Sequence, residues 1–384
     1  MIRPTVARVD LKAIEANFRT ISAFLRSDPL PRTADPGPAP QRLAPGIIAV
    51  VKANAYGHGA VEVARALERA GAAMLACADI EEGIVLRAGG VRVPILIFGA
   101  LSVSDLDGVF THGLTPTIST PSAARALQAA AARRGATLHC HLKIDTGMNR
   151  LGFRHDNLAR TLPEVAASRN LAIDAIYTHF ATADDPEHPL FVEQRVRFEA
   201  ALAGLPALGI PTRVRHAANS AALLRDERVW YDYVRPGLLL YGIVPPPLAV
   251  TLPLRPVLSL HSRIVAVKGL RPGEGTGYGM KTLVQEPTTV AVVPAGYADG
   301  LDLRLGGKGH MLVRGRRMPI VGSVCMDMTM VDVSGTEVAP GDEVVILGRQ
   351  GDEMMDVREM AASIGTIPYE LLCRLGARIE RVYR

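Results

Sequence analysis

Between Ile47 and Leu240 the chain alternates short apolar runs with longer amphipathic stretches. The runs Ile47–Val51, Ala73–Cys77, Pro94–Phe98, Thr115–Ile118, Thr137–Ile144, Ala172–Thr178, Arg213–His216 and Tyr233–Leu240 read as buried strands. Leu11–Leu25, Ala60–Arg69, Ser122–Arg134 and Leu190–Ala203 instead carry the three-and-four spacing of helices with one buried face. Strands that alternate with helices predict a parallel sheet, because a parallel crossover needs a long connection. Eight such units predict a closed α/β barrel of the (β/α)8 TIM type over residues 11–244, with an open doubly wound sheet as the runner-up.

The pattern changes at Val244-Pro245-Pro246-Pro247. A proline run continues neither a helix nor a central strand, so it marks a boundary. Beyond it, Leu258–Val267, Thr288–Pro294, Met311–Val313, Val331–Val333 and Val344–Leu347 are short β-rich segments between glycine turns. They predict a mostly-β domain over 245–384. Asp28–Pro45, rich in proline and alanine, reads as an exposed insertion with no function assigned to it.

Composition narrows the class. With 48% apolar and 21% charged residues, the chain can bury an ample core. No apolar run approaches the roughly 18 residues that cross a bilayer. The start, Met1-Ile2-Arg3-Pro4-Thr5-Val6, lacks the basic-then-apolar pattern of a secretory signal, so a cytoplasmic protein is expected. Cys77, Cys140, Cys325 and Cys373 are far apart and form no CxxC, which fits free thiols in a reducing compartment. A net charge of +5 from dispersed residues does not point to nucleic acid; anionic small molecules suit it equally.

In such a barrel the chemistry sits at the carboxyl ends of the strands. Lys52 follows the first strand, and the fifth leads into Lys143-Ile144-Asp145-Thr146-Gly147-Met148-Asn149-Arg150. The later strands end in Thr178-His179-Phe180, Ala218-Asn219-Ser220 and Arg235-Pro236-Gly237. Each residue has a plain structural reading. Lys52 could be a solvated chain end, His179 a hydrogen-bonded core imidazole, Ser220 a helix N-cap and Gly237 a turn. Their convergence on one rim favours a site rich in cations and N–H donors, suited to phosphate and carboxylate. A lysine that attacks a carbonyl must first lose its proton, which nearby cations and desolvation promote. A Schiff-base lysine beside a phosphate cradle points to pyridoxal 5′-phosphate (PLP). Arg235 is the candidate partner for the pyridine nitrogen. An arginine there donates a hydrogen bond and leaves that nitrogen unprotonated, so the ring is a weaker electron sink than one paired with aspartate.

At this point the chain resembles the alanine racemase family, PLP enzymes of fold type III. The residues that carry the resemblance are Val51 to Gly59, Lys143 to Gly152, Thr178 to Ala181, His216 to Ser220 and Val234 to Gly237, followed by Gly277-Tyr278-Gly279, Gly296 to Gly300, Cys325-Met326-Asp327 and Ile367 to Glu370. The resemblance implies two-base interconversion of L- and D-alanine, supplying D-alanine for peptidoglycan. By it, Lys52 holds PLP and is the base on one face of the substrate Cα, and Tyr278 is the base on the other. His179 and Arg235 link Tyr278 to the cofactor. Arg150 holds the substrate carboxylate, and Met326 contacts substrate through its backbone, beside Asp327. Lys143 matches a position carbamylated in many members, where the carbamate orients Arg150. Tyr56, one helical turn beyond Lys52, binds the phosphate with Ser220, Gly237, Leu238 and Tyr369. The resemblance also implies a homodimer with shared sites, Tyr278 and Met326 coming from the partner, and an N-terminal strand (residues 1–10) that joins the β domain.

Two features depart from the family pattern: the Asp28–Pro45 insertion looks longer than usual, and Asn149 differs from the residues other members carry before Arg150. His139-Cys140-His141 has metal-like spacing, but with no third ligand evident no metal is expected, and two structural histidines near Lys143 are the simpler reading. The Tyr297 segment reads equally as a gate at the substrate entrance or as a glycine-bracketed turn. Among rivals, a decarboxylase on the same scaffold conflicts with Arg235. A carrier made of the barrel alone leaves the β domain unexplained. A broader racemase for serine or basic amino acids is the alternative, and known versions carry a signal peptide that is not seen here.

Overall fold

The computed structural model describes residues 4–27, 44–101, 105–249, 252–280 and 282–384; most of the Asp28–Pro45 insertion lies outside them. The chain forms two compact units. One contains Ile14–Ala55 and Ala60–Leu254; the other contains the chain up to Ala13, Tyr56–Gly59 and Arg255–Arg384.

A first strand, β1 (Val6–Val9), belongs to the second unit, and the barrel strands follow it. They are β2 (Gly46–Val50), β3 (Met74–Cys77), β4 (Ile95–Ile97), β5 (Thr115–Ile118), β6 (Leu138–Asp145) with a short β7 (Phe153–Arg154) beside it, β8 (Leu171–Tyr177), β9 (Val214–His216) and β10 (Tyr233–Val234). The order β5-β4-β3-β2-β10-β9-β8-β6, with β6 returning to β5, closes an eight-stranded parallel barrel. An open doubly wound sheet is thereby excluded. Strands β2, β3 and β4 are apolar throughout because both faces are covered; Ile48, Ala76 and Leu96 pack together from these three neighbouring strands. Helices Ala60–Ala70, Pro121–Arg133 and Leu190–Gly204 occupy the stretches whose spacing predicts them.

The last barrel strand is shorter than Tyr233–Leu240. Pro236 has no N–H to give a ladder, and the Gly237 N–H donates to Ser220 Oγ at 2.9 Å instead. The following residues close turns, Leu240 N–H to Gly237 O and Tyr241 N–H to Leu238 O. The strand therefore ends just before Arg235 and delivers it to the rim.

In the second unit the strands are β11 (Leu258–Arg263), β12 (Ala266–Leu270), β13 (Thr288–Val293), β14 (His310–Val313), β15 (Arg316–Val321), β16 (Thr329–Asp332), β17 (Glu343–Gln350), β18 (Glu353–Met355) and β19 (Glu380–Tyr383). They run in the order β12-β13-β16-β15-β14-β17-β11-β1-β19, with β18 on β17. β1 lies antiparallel to β11 and parallel to β19. Leu258–Val267 is two strands, because Ile264 and Val265 turn their N–H groups to Asp342 and Val292.

The turn after β2 is left-handed. Ala53, Asn54, Ala55 and Tyr56 all have φ between 51° and 54°. The ordinary helical turn expected there is thus corrected. Left-handed helical backbone costs roughly 1–2 kcal/mol per non-glycine residue, so it must be held. Ala53 N–H donates to Glu82 Oε1 at 2.6 Å, and Ala60 N–H donates to Asn54 Oδ1 at 2.8 Å. Gly57 follows at φ 79°, where an added Cβ would sit 2.1 Å from the Leu372 carbonyl oxygen. Opposite outcomes are expected at the two positions. Ala53→Gly relieves strain and raises stability by about 0.5–1 kcal/mol, whereas Gly57→Ala lowers it by about 2–4 kcal/mol. Urea denaturation midpoints of the two variants check this.

Candidate active site

The carboxyl ends of the barrel strands bring five of the candidate residues together. Lys143 and Arg235 are buried, Lys52 and His179 are partly open, and Arg150 is exposed on the loop after β6. Asp145 shapes that loop. Its Oδ1 accepts from the N–H groups of Gly147, Met148 and Asn149 at 3.0–3.1 Å, and Asn149 takes φ 56° just before Arg150. The unusual residue at 149 therefore fits its backbone, since asparagine tolerates the left-handed region.

Arg235 is the centre of the arrangement. NH1 donates to His216 Nδ1 at 2.8 Å, and NH2 donates to the carbonyls of Thr178 and Ala217 at 2.7 and 2.9 Å and to His179 Nδ1 at 3.3 Å. No carboxylate faces it, and Nε has no partner among the described residues. Burial lowers its pKa to about 10, still well above neutrality. A buried guanidinium without an anion is costly, so the site is built to receive an acceptor. The amine of Lys143 is pushed down to about 8, first by desolvation and then by Arg150, Arg235 and Lys52. His179 is held well below the usual imidazole range by desolvation, then by Arg235, Lys143 and Lys52.

Beneath this layer lie residues that the sequence did not single out for the site. Tyr177 is fully buried and stacks on His216, with ring centroids 4.7 Å apart and planes 12° apart. Its hydroxyl bonds Thr117 Oγ1 at 3.0 Å, and burial raises its pKa to about 12. Gln194 is the other. Its amide donates to the carbonyl of His179 at 3.0 Å and to Thr146 Oγ1 at 3.1 Å, and its oxygen accepts from Ala181 N–H at 2.8 Å. A signal existed, since Gln194 falls on the buried stripe Phe191, Gln194, Phe198, Ala201 of its helix. A polar side chain in an apolar stripe implies partners.

Ser220 opens helix Ser220–Arg225 rather than capping it. Asn219, extended at ψ −173°, is the cap, accepting from Ala222 N–H at 2.9 Å. Ser220 Oγ is left to hold Gly237, and the buried Leu238 follows. The two histidines of His139-Cys140-His141 part company. His141 is buried against His216, but His139 is exposed and pairs with Asp174 at 3.0 Å. A register shift between Cys140 and His141 against β8 separates their surroundings. Among the described residues no three His, Cys, Asp or Glu side chains cluster as a metal site.

In the second unit the rings of Tyr56 and Tyr369 lie 5.9 Å apart. Tyr278 is 76% exposed on a turn between Gly277 (φ 78°) and Gly279 (φ 76°), and its carbonyl accepts from Ser323 Oγ at 3.0 Å. Met326 is also exposed, and its N–H has no partner among the described residues. The Tyr297 segment braces that loop. Tyr297 and Ala298 donate to the carbonyls of Cys325 and Met326 at 3.0 and 3.1 Å, and Arg378 joins buried Asp299 to Asp327. Gly296 is required there, as a Cβ would meet the Cys325 oxygen at 2.2 Å. All four cysteines are free thiols.

Three desolvated imidazoles set an acid limit. His141 is lowered to about 4 by desolvation, and His179 and His216 fall well below 6.5 for the same first reason. Below pH 6.5 the unfolded chain binds these protons and the folded chain does not. Stability is therefore complete above about 6.5 and lost as pH falls toward 4, with a slope up to about 1.4 kcal/mol per pH unit for each histidine. Denaturation midpoints at a series of pH values check the slope, and His141→Asn should make it shallower.

A closed parallel barrel whose strand ends gather cationic side chains, joined to a separate β unit, defines a class of two-unit barrel proteins. Comparison with known proteins identifies the family within it. Residues 39–245 match the model of the alanine racemase N-terminal domain, and 257–383 that of the C-terminal domain. An alanine racemase of Carboxydothermus hydrogenoformans is 42% identical over 100% of both chains. The crystal structure of alanine racemase from D-cycloserine-producing Streptomyces lavendulae superposes with a TM-score of 0.91 at 34% identity, covering 100% of this chain and 98% of that one. That of Bartonella henselae alanine racemase with covalently bound pyridoxal phosphate gives 0.84 at 29% identity over 99% of each. The chain belongs to the alanine racemase family.

Proposed function

We propose that the protein interconverts L- and D-alanine with PLP as cofactor, in the cytoplasm, and so supplies D-alanine for peptidoglycan. The observation that carries the cofactor reading is Arg235, a buried cation with no carboxylate and with Nε left over. That donor fits an unprotonated ring nitrogen, and the neighbouring amines fit a carbonyl. When bound, PLP supplies a carbonyl for a Schiff base and a ring that eases loss of the substrate α-proton.

The chain supplies the rest. Lys52 holds the cofactor. Lys52 and Tyr278 are two bases on opposite faces of the substrate Cα; one takes the proton, and the other returns one from the far side. With His179 Nδ1 accepting from Arg235, its Nε2–H is left to donate to the Tyr278 phenolate. Such a donor eases ionisation of a phenol whose ordinary pKa is about 10. Arg150 and the N–H of Met326 hold the substrate carboxylate. Tyr56, Ser220, Gly237, Leu238 and Tyr369 hold the phosphate. An amine with a pKa near 8 is often neutral, the form that adds carbon dioxide, and Lys143 as a carbamate orients Arg150. The functional unit is a homodimer in which Tyr278 and Met326 serve the partner's barrel. Turnover of serine or basic amino acids is not favoured, since the named relatives are alanine racemases.

The test combines a spectrum with product analysis. Protein reconstituted with PLP should turn yellow, fix the cofactor on the Lys52 peptide after borohydride reduction, and racemise either alanine enantiomer on chiral chromatography. A cofactor fixed on another lysine, or no second enantiomer, overturns the proposal.

A further inference from the structure

The functional reading uses Arg235 but not the chain of imidazoles behind it. His141 Nδ1 lies 3.0 Å from His216 Nε2, and His216 Nδ1 lies 2.8 Å from Arg235 NH1. All three side chains are buried, and they come from β6, β9 and the end of β10. We infer that His141 is a positioning residue for Arg235: it fixes the tautomer of His216, and His216 then holds the guanidinium with Nε left over for the ring nitrogen of PLP. This rests on the cofactor reading above.

The order of protons follows from the donor inventory. A guanidinium only donates, so His216 Nδ1 must accept and carries no proton. A neutral imidazole then has its proton on Nε2, which donates to His141 Nδ1. That nitrogen in turn must be bare, so the His141 proton is also on Nε2. Every hydrogen bond in the chain therefore runs one way, and it does so only while both rings are neutral. Protonating either ring, or moving the His216 proton to Nδ1, sets one donor against another.

The packing removes the other escape, rotation of the rings. His216 is clamped on Tyr177, whose hydroxyl is tied to Thr117, and the His141 ring centroid lies 5.0 Å from that of His216. The Arg235 guanidinium sits 5.2 Å from the centre of the same Tyr177 ring. NH2 has three acceptors, but NH1 has His216 alone. Removing the acceptor at 141 leaves the buried Nε2–H of His216 without a partner. The competing tautomer would then aim an N–H at NH1. Either way the plane of the guanidinium loses its second anchor. A group that holds a cofactor atom need move only about 1 Å for the rate to fall by about 10²-fold.

The full-length chain tests this in the His141→Leu and His141→Asn variants, with and without PLP. In the wild type, side-chain ¹⁵N NMR should show His216 as the Nε2–H tautomer alone, before and after PLP is added. His141→Leu should mix the tautomers, shift the visible band of the bound cofactor and lower kcat by about ten- to a hundred-fold, with KM within about two-fold. Asparagine places an oxygen near the position of Nδ1, so His141→Asn should recover the single tautomer and kcat to within about three-fold. An Nδ1–H tautomer in the wild type overturns the proposal even if the leucine variant does not fold. So does a leucine variant with an unchanged band and kcat, or an asparagine variant as impaired as the leucine one. A wild type with the expected tautomer that takes up no PLP overturns the functional reading instead and leaves the proton order supported.

Discussion

Lys52→Ala should reduce racemisation by at least about 10⁴-fold in both directions, and the protein should lose its yellow colour. Two functions disappear with one side chain, the attachment of the cofactor and the proton transfer on one face. The loss should be chemical and not structural. Lys52 is partly open, and alanine at its position leaves the turn contacts of Ala53 with Glu82 and of Asn54 with Ala60 in place. A cooperative melting transition without cofactor should therefore persist while activity is lost. Neither Lys143 nor Arg235 can take over. Lys143 is buried in the barrel with its side-chain nitrogen 5.7 Å from the centre of the Tyr177 ring, and Arg235 is committed to four acceptors. Chiral chromatography of each enantiomer, beside a melting curve, separates the two outcomes.

Tyr278→Phe should lower racemisation by about 10²–10⁴-fold while the colour remains. A lost base on one face has a signature that a general defect lacks. In deuterated water, exchange of the α-proton should persist from one alanine enantiomer and be suppressed from the other, because Lys52 still serves its own face. Equal suppression from both would count against two bases. Tyr278 is exposed between two left-handed glycines, so loss of its hydroxyl should leave the stability of the β unit unchanged.

Much of the fold is legible because a parallel barrel is buried on both faces. Strands β2, β3 and β4 are continuous apolar runs, and Ile48, Leu75 and Leu96 need no context to be read. The β unit is less legible. Strand β15, Arg-Arg-Met-Pro-Ile-Val, alternates exposed and buried residues and opens on two arginines, which hides it from a search for apolar runs. Local backbone also escapes. Nothing in Ala53-Asn54-Ala55-Tyr56 announces a left-handed turn, since its hold comes from Glu82, a residue 29 positions away from Ala53.

The candidate site divides the same way. Lys52, His179 and Arg235 follow strand ends, Lys143 lies among the last residues of β6, and all four are visible from the alternation alone. Their partners are not. Tyr177 and Thr117 look like ordinary strand residues, and only the closure of β6 onto β5 brings them into one layer. Ser220 shows a subtler limit. The sequence offers two adjacent residues for one cap, and the backbone gives it to Asn219, freeing Ser220 to fix Gly237.

In the proposed homodimer each site joins Lys52 of one chain to Tyr278 of another. Mixing Lys52→Ala and Tyr278→Phe proteins tests it most directly, with subunits allowed to exchange before activity is measured. Each mixed dimer then holds one site with both residues and one with neither. Random pairing makes about half the dimers mixed, so about a quarter of the wild-type activity should return. Activity no higher than the mean of the two unmixed variants, with exchange of subunits shown by mass, would contradict the shared site.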